Sequence, residues 1–325
     1  MPVSTHQSQL PEQTRFNGTV ALWYSPHHAT NSRDWENIRA FEGLYHPLVG
    51  YYKNDDPAVM RAHLSWMRRA GIDLIVYDVY GVDSRTLRDL PEDRTLALLV
   101  EHLSRQQGER PLQLCIWLEK YASNPSLVDY EFALQYVREH LADKEYYFGY
   151  AGKPLVVTYL NGQSDAIDEL EWKNSYFELR RIRPYVSDVW SYVQHYPQPL
   201  RRDWMPVSPG IDSYLEDAYM ATHFRPQGAP DYKAIRERAQ RADRENGEYY
   251  RKQLQRAKQA DPTIIFVSGW NDWQYGTQIE PAIEYEYQYV DITAEALGRW
   301  QETAPYRESS TTGAVAGNAL TGGAE

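Results

Sequence analysis

Asp56–Asp78 reads DPAVMRAHLSWMRRAGIDLIVYD. Asp56 is an N-cap candidate, and Pro57 suits the first turn of a helix. Val59, His63, Trp66, Met67 and Ala70 recur at helical spacing, and Gly71 closes the segment. Ile72–Tyr77 then reads as a strand rich in β-branched residues. A helix running straight into an apolar strand is part of a β–α alternation, and the alternation continues in both directions. Val20–Tyr24 reads as a strand upstream. Downstream, Leu96, Leu99, Val100 and Leu103 mark a helix, Leu112–Leu118 a strand, and Tyr130, Ala133, Leu134, Val137 and Leu141 a further helix. Leu155–Leu160 is the next strand, and Asp188–Val193 and Met205–Ile211 are strand candidates. One long charged helical stretch is expected over 231–259, before a last strand at Thr263–Gly269.

Repeated alternation of this kind implies a parallel sheet with helices outside it. Closed on itself, such a sheet is an α/β fold with a single (β/α)8 barrel of the TIM type, for which ~250 residues suffice. No G-x-G-x-x-G, Walker motif or G-x-S-x-G follows any strand, so dinucleotide, P-loop and α/β-hydrolase readings lose their usual support. The barrel domain is expected over 18–306, with a flexible N-terminal arm over 1–17 and a small, polar, Gly-rich tail over 307–325 that reads as disordered.

Composition narrows the partners. The 325-residue chain carries 34 Lys and Arg against 45 Asp and Glu, a formal net charge of −11, which argues against nucleic acid and against an anionic membrane surface. Its single cysteine, Cys115, sits in an apolar run and can form no internal disulfide. The first residues hold no apolar leader core, and no apolar run approaches the ~18 residues of a membrane span, so a cytoplasmic location is expected. Nothing in the charge balance points to an oligomer. The unusual count is 27 Tyr and 10 Trp against 7 Phe, side chains that stack on sugar rings while hydrogen-bonding at their tips.

In a barrel of this kind the site lies at the C-terminal ends of the strands. The polar residues expected there are Tyr24, His27 and His28 after the first strand, Asp78 and Tyr80 after the second, and Trp117, Glu119 and Tyr121 after the third. Tyr192 follows in the fifth region, and Trp270, Asn271, Asp272, Trp273 and Tyr275 come after the last strand. Carboxylates and aromatics converging on one face suit hydrolysis of a glycosidic bond, which needs two proton-handling groups and stacking platforms. No metal or other cofactor is expected: His27 and His28 are adjacent and point in different directions, and no H-E-x-x-H is present.

Ser268–Pro281, SGWNDWQYGTQIEP, resembles the signature of glycoside hydrolase family 99, the endo-α-mannosidases, which runs roughly S-x-N-E-W-x-E-G-T-Q-I-E-P. Shorter matches occur in order along the chain: Gly50-Tyr51-Tyr52, Ala70-Gly71-Ile72-Asp73, Leu118-Glu119-Lys120-Tyr121, Gly152-Lys153-Pro154-Leu155 and Asn246-Gly247-Glu248-Tyr249-Tyr250. The pattern also resembles relatives associated with surface-polysaccharide biosynthesis. The resemblance implies a metal-independent retaining enzyme acting on α-mannosides. In it, the first glutamate of N-E-W-x-E deprotonates the sugar 2-hydroxyl and the second is the general acid/base.

This chain departs from the pattern at both positions. The first is Asp272, one methylene shorter, and the second is Tyr275. An unperturbed tyrosine has a pKa near 10 and an unperturbed glutamate one of about 4.3, so Tyr275 cannot simply stand in for the acid. Three expectations follow. The first is a glycosidase on an α-linked, manno-type glycan or glycoside, with Asp78, Glu119 or Tyr275 in the altered acid/base apparatus. The second is different chemistry on a sugar-bearing intermediate in polysaccharide or natural-product biosynthesis. The third is a sugar-binding protein without catalysis. In all three the partner is a carbohydrate or a glycosylated small molecule. Glu280, beyond the catalytic pair, reads as a structural support.

Overall fold

The computed structural model describes residues 15–26, 28, 33–41, 43–81, 90–107, 111–120, 127–160, 174–181, 203–224 and 229–299. In chain order the elements are β1 (Thr19–Tyr24), α1 (Arg33–Ala40), α2 (Pro57–Arg69), β2 (Leu74–Gly81), α3 (Arg94–Arg105), β3 (Gln113–Lys120) and α4 (Leu127–His140). There follow β4 (Gly149–Tyr150), β5 (Lys153–Leu160), β6 (Glu178–Arg181), β7 (Trp204–Val207), β8 (Ile211–Asp212), α5 (Tyr214–Phe224) and α6 (Tyr232–Arg238). The last are β9 (Arg241–Ala242), α7 (Glu248–Ala260), β10 (Ile264–Val267) and α8 (Gln288–Ala296).

The unit that opens the sequence reading forms as its residues dictate. The Asp56 carboxylate accepts from the Ala58 amide at 2.7 Å, Pro57 starts α2, and Gly71 ends the segment at φ +75°. The apolar face of α2 lies against the sheet, with Met60, Leu64 and Met67 buried.

The sheet is parallel in the order β6-β5-β3-β2-β1-β10-β7, with β4 added antiparallel at the start of β5. The first and last of the long parallel strands, β1 and β10, are therefore neighbours, as closure requires and as a doubly wound sheet does not provide. The curl is visible in side-chain contacts. Trp117 on β3 stacks on Phe266 of β10 with centroids 6.1 Å apart, although β2 and β1 lie between those strands in the sheet. Trp204 of β7 packs on the same ring at 5.0 Å. These three rings meet through the lumen and fill it.

Alternation along β2 assigns the two faces. Tyr24 and Tyr77 are register partners and stack at 6.1 Å. The Tyr24 hydroxyl reaches His63 on α2, and the Tyr77 hydroxyl donates to Asp93, the N-cap of α3, at 2.8 Å. Both therefore face the helices. Asp78, the next residue, faces the lumen, level with its register partner Trp117.

The opposite end of the barrel is tied by the chain's two ends. The Arg299 guanidinium bonds the Asp73 carboxylate and the Gly18 carbonyl, and donates to the carbonyls of Phe16 (3.1 Å) and Gly71 (3.0 Å). Asp73 in turn accepts from the Val20 amide at 2.9 Å. A Cβ on Gly71 would stand 2.7 Å from the Arg299 side chain, so only glycine fits both the φ and the space.

Three expectations need correction. The arm expected over 1–17 is not loose at its inner end: Phe16 is buried at 2% exposure, and its amide donates to the Leu297 carbonyl. The strand expected over Met205–Ile211 is two strands, β7 and β8, separated by Ser208-Pro209-Gly210, where proline removes a ladder donor. The single helix expected over 231–259 is broken into α6, β9 and α7, because Asn246 (φ +52°) and Gly247 (φ +91°) are left-handed and cannot continue a helix. The expected strand Asp188–Val193 lies outside the described residues.

Removing the latch tests its weight. Arg299→Ala leaves Asp73, at 22% side-chain exposure, and three carbonyls without their cation. We expect a loss of about 3 kcal/mol, read as a lower urea midpoint at unchanged slope. A midpoint within error of the parent would show that the latch is dispensable.

Candidate functional site at the barrel mouth

The loop that follows β10, Ser268–Pro281, folds back over its own start. Gly269 has φ +94°, and a Cβ there would lie 2.7 Å from the Thr277 hydroxyl oxygen. That close approach lets the Thr277 hydroxyl donate to Asp272 Oδ2 at 2.6 Å, while the Thr277 amide donates to the Asp272 carbonyl. Asp272 is thus buried at 7% exposure with its carboxylate oriented by a residue five positions on.

Asp78 is the second carboxyl at this level, buried at 1% exposure. Burial pushes its pKa well above the usual carboxylate range, and the negative charge of Asp272 pushes it further in the same direction. A lumen carboxyl from β2 and a loop carboxylate from beyond β10 are therefore brought together across the top of β1. The pair is divided by environment: burial and the charge of Asp272 both favour the protonated form of Asp78.

A fully buried carboxylate, Glu280, anchors the loop. It accepts from the Tyr52 hydroxyl (2.7 Å) and Trp273 Nε1 (3.0 Å) on one oxygen, and from His63 Nε2 (2.9 Å) on the other. His63 Nδ1 lies 3.3 Å from the Tyr24 hydroxyl, which also takes a hydrogen bond from Asn54. Burial, and then the charge of Glu280, hold the Tyr52 hydroxyl well above its ordinary pKa, so it remains a donor. Asn271 clamps the loop after β1: its Oδ1 accepts from the Ser25 amide and its Nδ2 donates to the Ser25 carbonyl, both at 2.8 Å.

Several expected substrate contacts are consumed by this scaffold. Tyr24 lies on the helix-facing side of β1, which takes it away from the mouth. His28 stacks on Trp35 at 4.4 Å and bonds the Asn271 carbonyl at 2.8 Å. Trp270 is fully buried against His63, and Trp117 fills the lumen beside Phe266. Trp273 is 3% exposed and reaches the surface at a small cleft behind the loop. Tyr275 is half-buried; it packs with Ile211 and Ala242, and its carbonyl accepts from the Asp212 amide at 2.8 Å. Tyr80 and Glu119 are register partners at the ends of β2 and β3, but their side chains lie outside what is described. His27, Tyr121 and Tyr192 lie outside the described residues as well.

Two contributors carry no separate sequence signal. Thr277 is one small residue inside the G-T-Q run. Arg244, between β9 and α7, donates from one nitrogen to the carbonyls of Gly276 (2.9 Å) and Gln278 (2.8 Å), bracketing Thr277. Its guanidinium lies over the rings of Tyr45, Tyr285 and Tyr289 at 4.7, 5.3 and 4.4 Å. Among the described residues, no group of three or more His, Cys, Asp and Glu side chains could hold a metal ion, and no helix is long and apolar enough to cross a membrane.

Comparison with known proteins agrees with this geometry. The family model "Glycosyl hydrolase family 99" matches residues 215–303, which include the whole loop. The chain is family 99-like. It is 22% identical to the mouse glycoprotein endo-alpha-1,2-mannosidase and 23% identical to the rat protein of that name, over 79% of its own length in each case. It spans 63% of the length of each of these relatives. The family 99 endo-alpha-mannosidase structure from Bacteroides thetaiotaomicron superposes with a TM-score of 0.60 at 16% identity, covering 86% of this chain and 97% of that one. The shared architecture is the (β/α)8 barrel of the TIM type.

The Asp78 carboxyl gives a signed prediction. Its folded pKa is raised above its unfolded value, so its contribution to stability is full below about pH 3.9 and is lost as pH rises toward the folded value. Asp78→Asn removes this loss, so the variant gains on the parent in melting temperature between pH 4 and pH 7. A difference that stays flat across that interval would contradict the assignment.

Proposed function

We propose that this family 99-like chain is a glycoside hydrolase acting on an α-linked, mannose-type glycan, with Asp272 and Asp78 as its reacting pair. The observation that carries the reading is the pair itself: two buried carboxyls at the mouth of the barrel, one oriented by Thr277 and the other in surroundings that favour its protonated form. The names of the relatives supply the substrate class.

In the proposed reaction the ionised Asp272 takes the proton of the sugar 2-hydroxyl, and that oxygen attacks the adjacent anomeric carbon. The bond to the leaving oxygen breaks as Asp78 gives that oxygen its proton. Water then opens the sugar intermediate at the anomeric carbon: Asp78, now ionised, accepts the water proton, and Asp272 returns its proton to the 2-oxygen. Both carboxyls end in their starting states, and the sum is hydrolysis with retained configuration. This is the family's division of roles with the acid moved from the loop to β2, which accounts for a tyrosine at position 275. The shorter Asp272 is offset by the Thr277 hydrogen bond, which fixes the carboxylate at one reach.

The test is turnover of an α-1,2-linked glucosyl-mannosyl or mannosyl oligosaccharide, followed by chromatography of the products. Asp272→Asn and Asp78→Asn should each lower kcat by about 100-fold or more. Tyr275→Phe should change it less than tenfold. The alkaline limb of the pH profile should disappear in Asp78→Asn while any residual rate persists. A Tyr275→Phe loss as large as that of Asp78→Asn would return the acid to the loop. Tight binding of the oligosaccharide with no turnover by the parent would make the chain a sugar-binding protein.

A further inference from the structure

The Asp272 carboxylate takes its direction from the Thr277 hydroxyl, and part of what fixes Thr277 lies outside the loop. The Gly276 carbonyl and the Thr277 amide belong to one peptide. Arg244 donates to that carbonyl at 2.9 Å, and the amide donates to the Asp272 carbonyl. The Gln278 carbonyl and the Ile279 amide likewise share a peptide. Arg244 donates to that carbonyl at 2.8 Å, and the amide donates to the Gly269 carbonyl at 3.1 Å. Thr277 thus lies between two peptide planes, each held at both ends, by Arg244 at one end and by the start of the loop at the other. Threonine is stiff at χ1, so a fixed backbone also fixes the direction of its hydroxyl.

The fold is built to hold a guanidinium at this point. Arg244 is buried, and its charge is met by the two carbonyls, by a hydrogen bond to Tyr289 and by the faces of Tyr45, Tyr285 and Tyr289. A Cβ on Gly210 would stand 2.8 Å from Arg244 Cγ, so glycine there leaves the side chain its path. Both carbonyls are taken by one nitrogen, whose two hydrogens lie in the guanidinium plane. That plane is itself set by the tyrosine rings, so the two carbonyls are held in direction as well as in distance. An ammonium on a flexible stem would keep the charge and lose this geometry.

We infer that Arg244 is a positioning residue for Asp272: by holding the peptides on either side of Thr277, it sets the hydroxyl that aims the carboxylate. The inference rests on the glycan reading above for the role it gives Asp272, and deepens it by adding to the reacting pair a residue from between β9 and α7. Arg244 touches neither the substrate nor the reacting atoms. Its contribution is the reach and direction of the base, and it passes through Thr277 alone.

Carboxyl titration tests this without needing turnover. The full chain is labelled with 13C-aspartate, and the Asp272 resonance is identified by its loss in Asp272→Asn. A hydrogen bond to the ionised form favours that form, so losing it raises the midpoint. Thr277→Val and Arg244→Lys should each raise the Asp272 midpoint, by about one pH unit for the former. The double variant should shift no further than Thr277→Val alone. Turnover of the oligosaccharide should follow the same rule: Arg244→Lys lowers kcat by about tenfold with KM little changed, and adds nothing in the Thr277→Val background. An Asp272 midpoint that stays put in either single variant overturns the inference. So do shifts or kcat losses that add in the double variant, since Arg244 would then act by a route other than Thr277. Where Arg244→Lys does not fold, Tyr289→Phe, which takes one hydrogen bond from the guanidinium, should move the midpoint the same way by less, and an unmoved midpoint again overturns the inference. If the midpoints shift as expected and the parent turns nothing over, the hold on Asp272 stands and the hydrolase reading falls.

Discussion

The site depends on the Glu280 carboxylate, buried without exposure beneath the loop after β10. A charge taken out of water costs several kcal/mol unless its oxygens are satisfied, and here three donors from three parts of the chain converge on it. His63 comes from α2, Tyr52 from the segment before α2, and Trp273 from the loop itself. By accepting from all three, the carboxylate fixes their relative positions. The loop therefore enters the mouth as a rigid body. Asn271 pins it to β1, Arg244 pins Gly276 and Gln278 from the β9 side, and the intervening Thr277 is left with one use for its hydroxyl, which is Asp272.

This construction explains why the barrel was legible from sequence while much of the site was not. Apolar periodicity reports burial against a neighbouring layer, so α2, β2, β3 and β5 stand out, and their order implies closure. Periodicity is silent where the chain turns for local reasons: the left-handed Asn246-Gly247 pair interrupts an otherwise helical charge pattern, and Ser208-Pro209-Gly210 divides an apolar run. The candidate site shows the same divide. Asp78 and Asp272 were recognisable as carboxyls at strand ends. Tyr24, His28, Trp270 and Asn271 were equally conspicuous, but a residue's place after a strand does not reveal which face it takes. Tyr24 and Tyr77 take the helix side, and Asp78 the lumen, because alternation along the strand leaves no other choice. Arg244 could not be found from pattern at all, since its role comes from the fold bringing 244 beside 276 and 278.

The departures from the family signature become intelligible together rather than singly. With Tyr275 packed on Ile211 and Ala242, the charge that acts on Asp78 is that of Asp272, and it favours the protonated form. Adding an acid on β2 and removing one from the loop conserves the number of proton-handling groups. It changes only the direction from which the proton arrives.

Tyrosine is also the replacement that keeps the rim closed. Its ring packs with Ile211 and Ala242, where a smaller residue would leave a gap. Its carbonyl holds β8 in place through the Asp212 amide, and Asp212 in turn pairs with Arg241 on β9. β8 and β9, joined through α5 and α6, pair as a two-stranded sheet apart from the barrel sheet, and the loop is bonded to both sides of it: to β8 through the Tyr275 carbonyl, and to the segment after β9 through Arg244. Arg244 holds the carbonyls on either side of Thr277, so the segment after β9 bears on the hydroxyl that orients Asp272.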